Sequence, residues 1–266
     1  NCGFLRIGQL VGLDKVVETA RRLGITTPLD PRAMSMPLGA FEVHPIEMAG
    51  MAATFANGGQ YNEPYFIERI EDRQGNVIEQ HVPENRQVVS AQSACLATEI
   101  LEANVRGGTG TAAQLPNGRP AAGKTGTAQS FGDAWFVGYT AQLATAVWMG
   151  NAEARVPMTN VGGRQVTGGS YPAQIWHDFM AAAHTLAPIE DFPQCEPTRP
   201  GRTIDRIPDF SGGANGDPGD VVDDGSVTPD SVPATSCPPG FVAAATGCFQ
   251  ATPTTAPDPV TVTGPP

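Results

Sequence analysis

The sequence has 266 residues and a formal net charge of −11, and this charge is unevenly distributed. Residues 186–266 hold three arginines, no lysine and eleven acidic residues, a net charge of −8, which leaves −3 for residues 1–185. Because the nearly neutral part lacks a basic patch, we exclude nucleic acid as a partner. No stretch reaches the roughly 18 apolar residues of a membrane-spanning helix, and no signal peptide opens the sequence.

Apolar periodicity and turn residues divide residues 1–185 into helices and strands. The predicted helices cover residues 3–24 with a break near Gly12, 44–57, 90–105 with Ser90 as N-cap, and 171–185. The predicted strands are a hairpin, 64–71 with 76–82, and three consecutive antiparallel strands at 122–129, 134–140 and 143–150. This order predicts an α/β fold of the α+β kind, in which helices flank an antiparallel sheet.

The composition changes at residue 186, after which Pro, Gly, Asp, Ser and Thr dominate and hydrophobic periodicity ends. Such a segment cannot bury enough apolar surface to offset its conformational entropy. We therefore expect two regions, a folded domain over residues 1–185 and an acidic, disordered tail over residues 186–266.

The five cysteines give no single pairing scheme. Cys2 and Cys95 fall in apolar helical segments, where cysteine is more often a small buried hydrophobic residue than a reactive thiol. Cys237 and Cys248 flank a short segment of the tail, and both a disulfide and two free thiols remain open for them. Cys195 cannot pair with either of these two without leaving the other unpaired.

The most informative motif is Lys124-Thr125-Gly126-Thr127, which lies in the predicted strand 122–129, just before the apolar segment 133–140. The Lys124 ammonium group raises the local positive potential, and the Thr125 and Thr127 hydroxyl groups can bind a substrate carboxylate. Gly126 has no side chain, so that an acyl peptide can lie against the backbone. The N–H of residue 127 can then stabilise an oxyanion.

Residues 118–125 also match the literal P-loop pattern Gly-x-x-x-x-Gly-Lys-Thr. A P-loop follows a buried strand and opens a helix, whereas turn residues precede this motif and a strand is predicted after it. Pro120 also removes an N–H group that would be needed to bind phosphate. These features favour a motif on a strand edge over a phosphate site.

Residues 1–184 resemble the transpeptidase domain of class A penicillin-binding proteins, whose third active-site motif is Lys-Thr-Gly. The matching segments follow the family's order: 1–13 with 20–25, 37–49 with 53–59, 107–113, 122–128, 133–139 with 147–150, and 167–176. The resemblance implies the fold shared by penicillin-binding proteins and serine β-lactamases. It also implies that Asn1 is the Asn of the family's Ser-x-Asn motif and binds the substrate amide.

One family motif is missing from these residues, the Ser-x-x-Lys that carries the nucleophile. The two lysines are Lys15 and Lys124, and the residues three positions before them are Gly12 and Ala121. We therefore expect a C-terminal piece of a longer enzyme that begins inside the Ser-x-Asn motif and lacks the N-terminal part of the domain. Its Pro- and Gly-rich acidic tail looks actinobacterial.

The resemblance implies a D,D-transpeptidase that cross-links peptidoglycan stem peptides through a serine acyl-enzyme and binds β-lactams. The implied catalytic residues are Lys124 and Asn1, and the implied substrate-binding residues are Thr125, Gly126 and Thr127. The nucleophile is then expected outside this chain, so the chain alone is expected to be inactive. No metal or other cofactor is expected, since the histidines show no metal-ligand spacing. Asp133 is expected to cap a strand end or turn.

Other functions remain open within the same resemblance, namely a D,D-carboxypeptidase, a serine β-lactamase or a non-catalytic penicillin-binding sensor. The resemblance also implies a glycosyltransferase domain and a membrane anchor upstream. These would place the domain on the extracytoplasmic face of the cell membrane, with cell-wall or division-machinery proteins as further partners.

Overall fold

The computed structural model describes residues 2–197 and the backbone of residues 241–244 and 247–250. The chain forms two compact units, Asn1–Pro208 and Asp209–Pro266. The first unit contains five described α-helices: α1 (Cys2–Val11), α2 (Leu13–Arg22), α3 (Pro45–Ala56), α4 (Ala91–Gly107) and α5 (Tyr171–Ala183). Its strands are β1 (Gln60–Asn62), β2 (Arg69–Glu71), β3 (Val77–Gln80), β4 (Asn85–Gln87), β5 (Ala122–Thr127), β6 (Asp133–Tyr139) and β7 (Ala144–Gly150).

Local sequence signals account for the positions at which several helices begin. Gly12 separates α1 from α2, as predicted, and its φ of 89° lies in the left-handed region that favours glycine. Ser90 is the N-cap of α4, also as predicted, because its hydroxyl oxygen accepts a hydrogen bond from the Ser93 N–H at 3.1 Å. Pro172 occupies the first turn of α5, where its missing N–H group costs no helical hydrogen bond.

Strands β5, β6 and β7 form a three-stranded antiparallel sheet in that order, which confirms the predicted arrangement. Helices pack against both faces of this sheet. Phe136 faces α5, where its ring lies edge-on to Trp176 with the ring centres 5.2 Å apart. The next residue, Val137, points to the opposite face and belongs to the cluster that includes Ala52 of α3. The predicted α+β architecture with flanking helices is therefore confirmed.

The remaining strands form two small antiparallel pairs. The predicted hairpin corresponds to β2 and β3, which are shorter than predicted. The Asp72 carboxylate accepts hydrogen bonds from the backbone N–H groups of Gln74 and Asn76 in the turn. The pairing of β1 with β4 was not predicted, because three-residue strands carry too little alternation to recognise in a sequence.

The interpretations of Cys95 and Cys2 as small buried hydrophobic residues were wrong. Cys95 of α4 forms a disulfide with Cys195, with the two Cα atoms 5.5 Å apart, and Cys2 is exposed. The two bonded residues lie 100 positions apart in the sequence, so only the fold brings them together. Cys237 lies outside the described residues. The prediction for Cys237 and Cys248, either a disulfide or two free thiols, therefore also falls outside them.

The residues that follow α5 still pack against the rest of the first unit. The buried Arg119 guanidinium donates hydrogen bonds to the backbone oxygens of Ala187 at 2.7 Å and Pro188 at 2.8 Å. Phe192 packs edge-on against Tyr139, with the ring centres 5.6 Å apart. The packed part of the chain thus continues past the predicted boundary at residue 185.

The predicted disorder of the tail concerns residues that are largely outside the described part of the chain. In the second unit, the described backbone forms strands β8 (Phe241–Ala244) and β9 (Gly247–Gln250), which pair antiparallel. Among the helices that the structure describes, none is both long enough and apolar enough to cross a bilayer.

Candidate active site

The Lys124–Thr127 motif lies on β5, which pairs with β6 on one side and is an edge strand of its sheet. Its strand conformation and the antiparallel strand that follows are those predicted from the sequence. A P-loop would instead have opened a helix after the Gly-Lys-Thr residues. The structure therefore contradicts the phosphate-loop alternative.

The open edge of β5 presents backbone groups of alternate residues. The Ala128 N–H donates to the Asp133 backbone oxygen at 2.9 Å, and Thr127 lies opposite Ala134 in the next register position. Because hydrogen-bonded and non-hydrogen-bonded pairs alternate in antiparallel sheets, the N–H and C=O groups of Thr127, Thr125 and Gly123 point away from β6. The Thr127 N–H is thus directed to the position where an oxyanion could accept its hydrogen bond.

The hydroxyl groups of Thr125 and Thr127 lie on one face of β5, since the two residues are two positions apart. The Thr127 hydroxyl oxygen accepts a hydrogen bond from the Gly168 N–H at 3.0 Å. This contact uses a lone pair and leaves the Thr127 hydroxyl hydrogen for an anionic ligand. The Thr125 hydroxyl lies 2.6 Å from the Thr109 hydroxyl, in a contact where either oxygen can donate.

Lys124 carries the positive charge of the motif. Its Nζ donates to the backbone oxygen of Thr125 at 2.7 Å, which holds the ammonium group against the open strand edge. Partial desolvation lowers the pKa of the Lys124 side chain below its ordinary value, although the residue is still accessible to solvent. Among the described residues, no carboxylate lies within ion-pair distance of this group.

Asn104 and Thr109, for which no role was predicted, connect the motif to α4 and the loop after it. The Asn104 amide nitrogen donates to the Gly123 backbone oxygen at 2.8 Å. The Asn104 amide oxygen accepts from the Thr109 N–H at 3.1 Å and from the Thr109 hydroxyl at 3.0 Å. Thr109 lies within residues 107–113, which match the family, but the resemblance did not predict a role for this residue.

The packing of Gly168 and Gly169 across the face of β5 was also not predicted from the sequence. A Cβ atom placed on Gly168 would lie 2.3 Å from the Trp135 backbone oxygen and 2.5 Å from that of Gly126. A Cβ on Gly169 would lie 2.4 Å from the Thr109 backbone oxygen. Only glycine permits so close an approach. A Gly-Gly pair in a loop after the sheet was the sequence signal that could have indicated it.

The other residues with a predicted role lie away from this edge or outside the described residues. Asn1, the predicted second catalytic residue, lies outside the described residues. Asp133 lies at the start of β6, where its carboxylate accepts hydrogen bonds from Trp148 Nε1 and Arg155 Nε, each at 3.1 Å. This is the structural role at a strand end that was expected. In the described part of the chain, no group of three or more metal-binding side chains occurs.

Comparison with known proteins identifies related sequences and folds. Residues 1–181 match the family model described as "Penicillin binding protein transpeptidase domain". Penicillin-binding protein 1A of Aquifex aeolicus is 35% identical over 72% of this chain and 25% of its own length. Penicillin-binding protein 1A of Mycolicibacterium smegmatis is 34% identical over 59% of this chain and 21% of its own length.

Solved structures give the same result for the fold. The structure of the PonA1 protein from Mycobacterium tuberculosis in complex with penicillin V matches with a TM-score of 0.62 and 28% identity. The match covers 68% of this chain and 52% of that one. The chain therefore spans about a fifth to a quarter of the length of the two curated relatives named above and about half of the PonA1 structure.

Proposed function

We propose that this chain, which belongs to the family of penicillin-binding protein transpeptidase domains, is part of a class A enzyme that cross-links peptidoglycan stem peptides and is acylated by β-lactams. The observation that carries the proposal is the Lys124–Thr127 motif on an open sheet edge, with two hydroxyl groups on one face and the Thr127 N–H directed outwards. The family match over residues 1–181 supports it.

In this proposal, the substrate is a peptide that ends in D-Ala-D-Ala and lies along β5 as an added strand. Its terminal carboxylate accepts hydrogen bonds from the hydroxyl groups of Thr125 and Thr127. The carbonyl group that reacts lies beside the Thr127 N–H, which stabilises the negative charge that develops on its oxygen. Gly126 lies between the two threonines, where a side chain would hinder the approach of the peptide backbone.

The reaction is an acyl transfer in two steps. A serine attacks the carbonyl carbon, the peptide bond to the last D-alanine breaks, and D-alanine leaves with a proton. An amine of a neighbouring stem then attacks the acyl-enzyme, forming the cross-link and releasing the serine. Lys124 supplies positive potential beside the carboxylate. Its lowered pKa favours proton exchange through the serine of the Ser-x-Asn motif, and Asn1 binds the substrate amide.

The serine nucleophile does not belong to these residues, because neither lysine is preceded by a serine at the required spacing. The proposal assigns it to another part of the full-length protein, so the chain by itself is expected to be inactive. A glycosyltransferase domain, a membrane anchor, an extracytoplasmic location and cell-wall or division-machinery partners belong to the same proposal. Their support is that the named class A relatives are about four to five times as long as the matched region.

The test is the second-order rate constant for acylation of the full-length protein by a fluorescent penicillin. Lys124→Ala should lower this rate constant by about 100-fold or more, because an electrostatic contact to the transition state is lost. Lys15→Ala is the matched control, since it removes the other lysine of these 266 residues from an exposed position on α2. Acylation of Lys124→Ala at the wild-type rate, with unchanged thermal unfolding, would overturn the assignment.

The nature of the reaction is tested with a lipid-linked substrate that carries an acceptor amine. Formation of cross-linked product supports the transpeptidase. Release of D-alanine without cross-links would indicate a D,D-carboxypeptidase. Rapid hydrolysis of the penicilloyl-enzyme would indicate a serine β-lactamase. Acylation by penicillin without any turnover of the lipid-linked substrate would indicate a sensor.

A further inference from the structure

Asn104, Thr109 and Thr125 form a continuous hydrogen-bond chain that ends at the proposed carboxylate site. The Asn104 amide nitrogen contacts the Gly123 backbone oxygen at 2.8 Å, and its amide oxygen contacts the Thr109 backbone N–H at 3.1 Å. A backbone oxygen only accepts and a backbone N–H only donates, so the orientation of the Asn104 amide group is fixed.

This fixed orientation sets the direction of the hydroxyl hydrogens. The Asn104 oxygen can only accept, so the Thr109 hydroxyl donates to it across 3.0 Å. In this arrangement the Thr109 oxygen offers only lone pairs to Thr125, 2.6 Å away, so the Thr125 hydroxyl donates to it. In the unliganded site, the Thr125 hydrogen is therefore directed at Thr109 and not at a ligand.

Both hydroxyl hydrogens can reverse without leaving a polar atom unpaired. If Thr125 turns its hydrogen towards a carboxylate, Thr109 can turn its own hydrogen from Asn104 to the Thr125 oxygen. The Asn104 oxygen still accepts from the Thr109 backbone N–H, which does not move. A hydroxyl that itself accepts a hydrogen bond is a stronger donor, so the reversed chain strengthens the bond from Thr125 to the carboxylate.

We propose that Thr109 is a positioning residue that switches Thr125 from donating to the protein to donating to the substrate carboxylate. This inference rests on the proposed function, because it assigns the carboxylate to Thr125. The switch requires two hydroxyl rotations and no displacement of backbone. Asn104 fixes the resting direction, and the Thr109 hydroxyl transmits it to the active-site edge.

The test compares Thr109→Val with Thr109→Ser in the full-length protein. Valine keeps the side-chain volume and the backbone N–H that binds Asn104 but removes the hydroxyl, whereas serine keeps the hydroxyl. The acylation rate constant is measured with benzylpenicillin and with its methyl ester, which lacks the carboxylate. Thr109→Val should lower the ratio of the acylation rate constant for benzylpenicillin to that for its methyl ester by about three- to tenfold, which corresponds to the loss of one neutral hydrogen bond. Thr109→Ser should restore the wild-type ratio.

Thr111→Val is the matched control, since it removes a hydroxyl from an exposed threonine two positions further along the chain, at the start of a short 3-10 helix. A rate ratio in Thr109→Val equal to that of wild type would overturn the inference. So would an equal loss for acid and ester, because that result indicates a purely structural role. Absence of acylation in the wild-type protein would instead refute the proposed function, and this inference with it.

Discussion

We expect the buried, ionised carboxylate of Glu47 to stabilise the fold by holding the start of α3 against Thr26 and Thr27 in the segment between α2 and α3. Its side chain accepts hydrogen bonds from the Thr26 N–H at 2.7 Å, the Thr26 hydroxyl at 2.5 Å, the Thr27 hydroxyl at 2.9 Å and the His44 N–H at 3.0 Å. Burial alone would raise the pKa of Glu47, but these hydrogen bonds outweigh it and lower the pKa from 4.5 to about 2.

The lowered pKa makes this contribution to stability dependent on pH. Since the folded value is below the unfolded one, the contribution is complete above about pH 4.5 and is lost as the pH falls towards 2. The difference between 4.5 and about 2 corresponds to an upper limit of about 3 kcal/mol. Since a hydrogen bond to a charged group contributes about 1.5–3 kcal/mol, we expect an effect of about 1–3 kcal/mol within this limit.

Glu47→Gln tests this expectation because it keeps the size of the side chain but replaces one acceptor oxygen with a donor. Urea unfolding, followed by tryptophan fluorescence, should show a loss of about 1–3 kcal/mol at pH 7. The difference from wild type should shrink by roughly half at pH 3. Glu18→Gln, at an exposed position of α2, is the control. A difference that is the same at both pH values would refute the reasoning.

Three further predictions concern the candidate site and the C-terminal segment. Thr125→Val should lower acylation of the full-length protein by penicillin by about ten- to a hundredfold, because one hydrogen bond to a charged group is lost; a thermal midpoint that falls along with the rate would point to misfolding instead. Gly168→Ala should reduce the free energy of unfolding by about 1–3 kcal/mol, since its Cβ would meet backbone oxygens at 2.3 and 2.5 Å, whereas Gly107→Ala, where an added Cβ has open space, should stay near wild type. Cys195→Ser should cost about 2–5 kcal/mol of stability and, in limited proteolysis, allow cleavage between residues 186 and 197; equal melting temperatures with and without reductant would contradict a stabilising disulfide.

Local patterns in the sequence were sufficient to predict the main elements. The spacing of apolar residues gave the helices, and Gly12 and Ser90 marked where two of them begin. The β5–β7 sheet was predicted because each of its strands is a short apolar or Gly-rich run bounded by turn residues. These signals work because they arise between residues that are close in the chain.

The chemistry of Lys124, Thr125 and Thr127 was also indicated by the sequence, because residue type and spacing of two on a strand decide which groups share a face. The sequence could not indicate what surrounds them. Asn104, Thr109 and Gly168 reach β5 from a helix and two loops, and their contacts depend on packing between distant segments.

The disulfide and the attachment of residues 186–197 were decided by tertiary structure alone. Composition made this segment look like the rest of the tail, yet Arg119 binds its backbone and Cys195 meets Cys95 across 100 positions. A cysteine pairing or a buried arginine contact depends on which surfaces the fold brings together. The sequence by itself thus determined the elements and the candidate-site motif, whereas the tertiary structure decided which distant residues contact that motif and that the packed chain continues past residue 185.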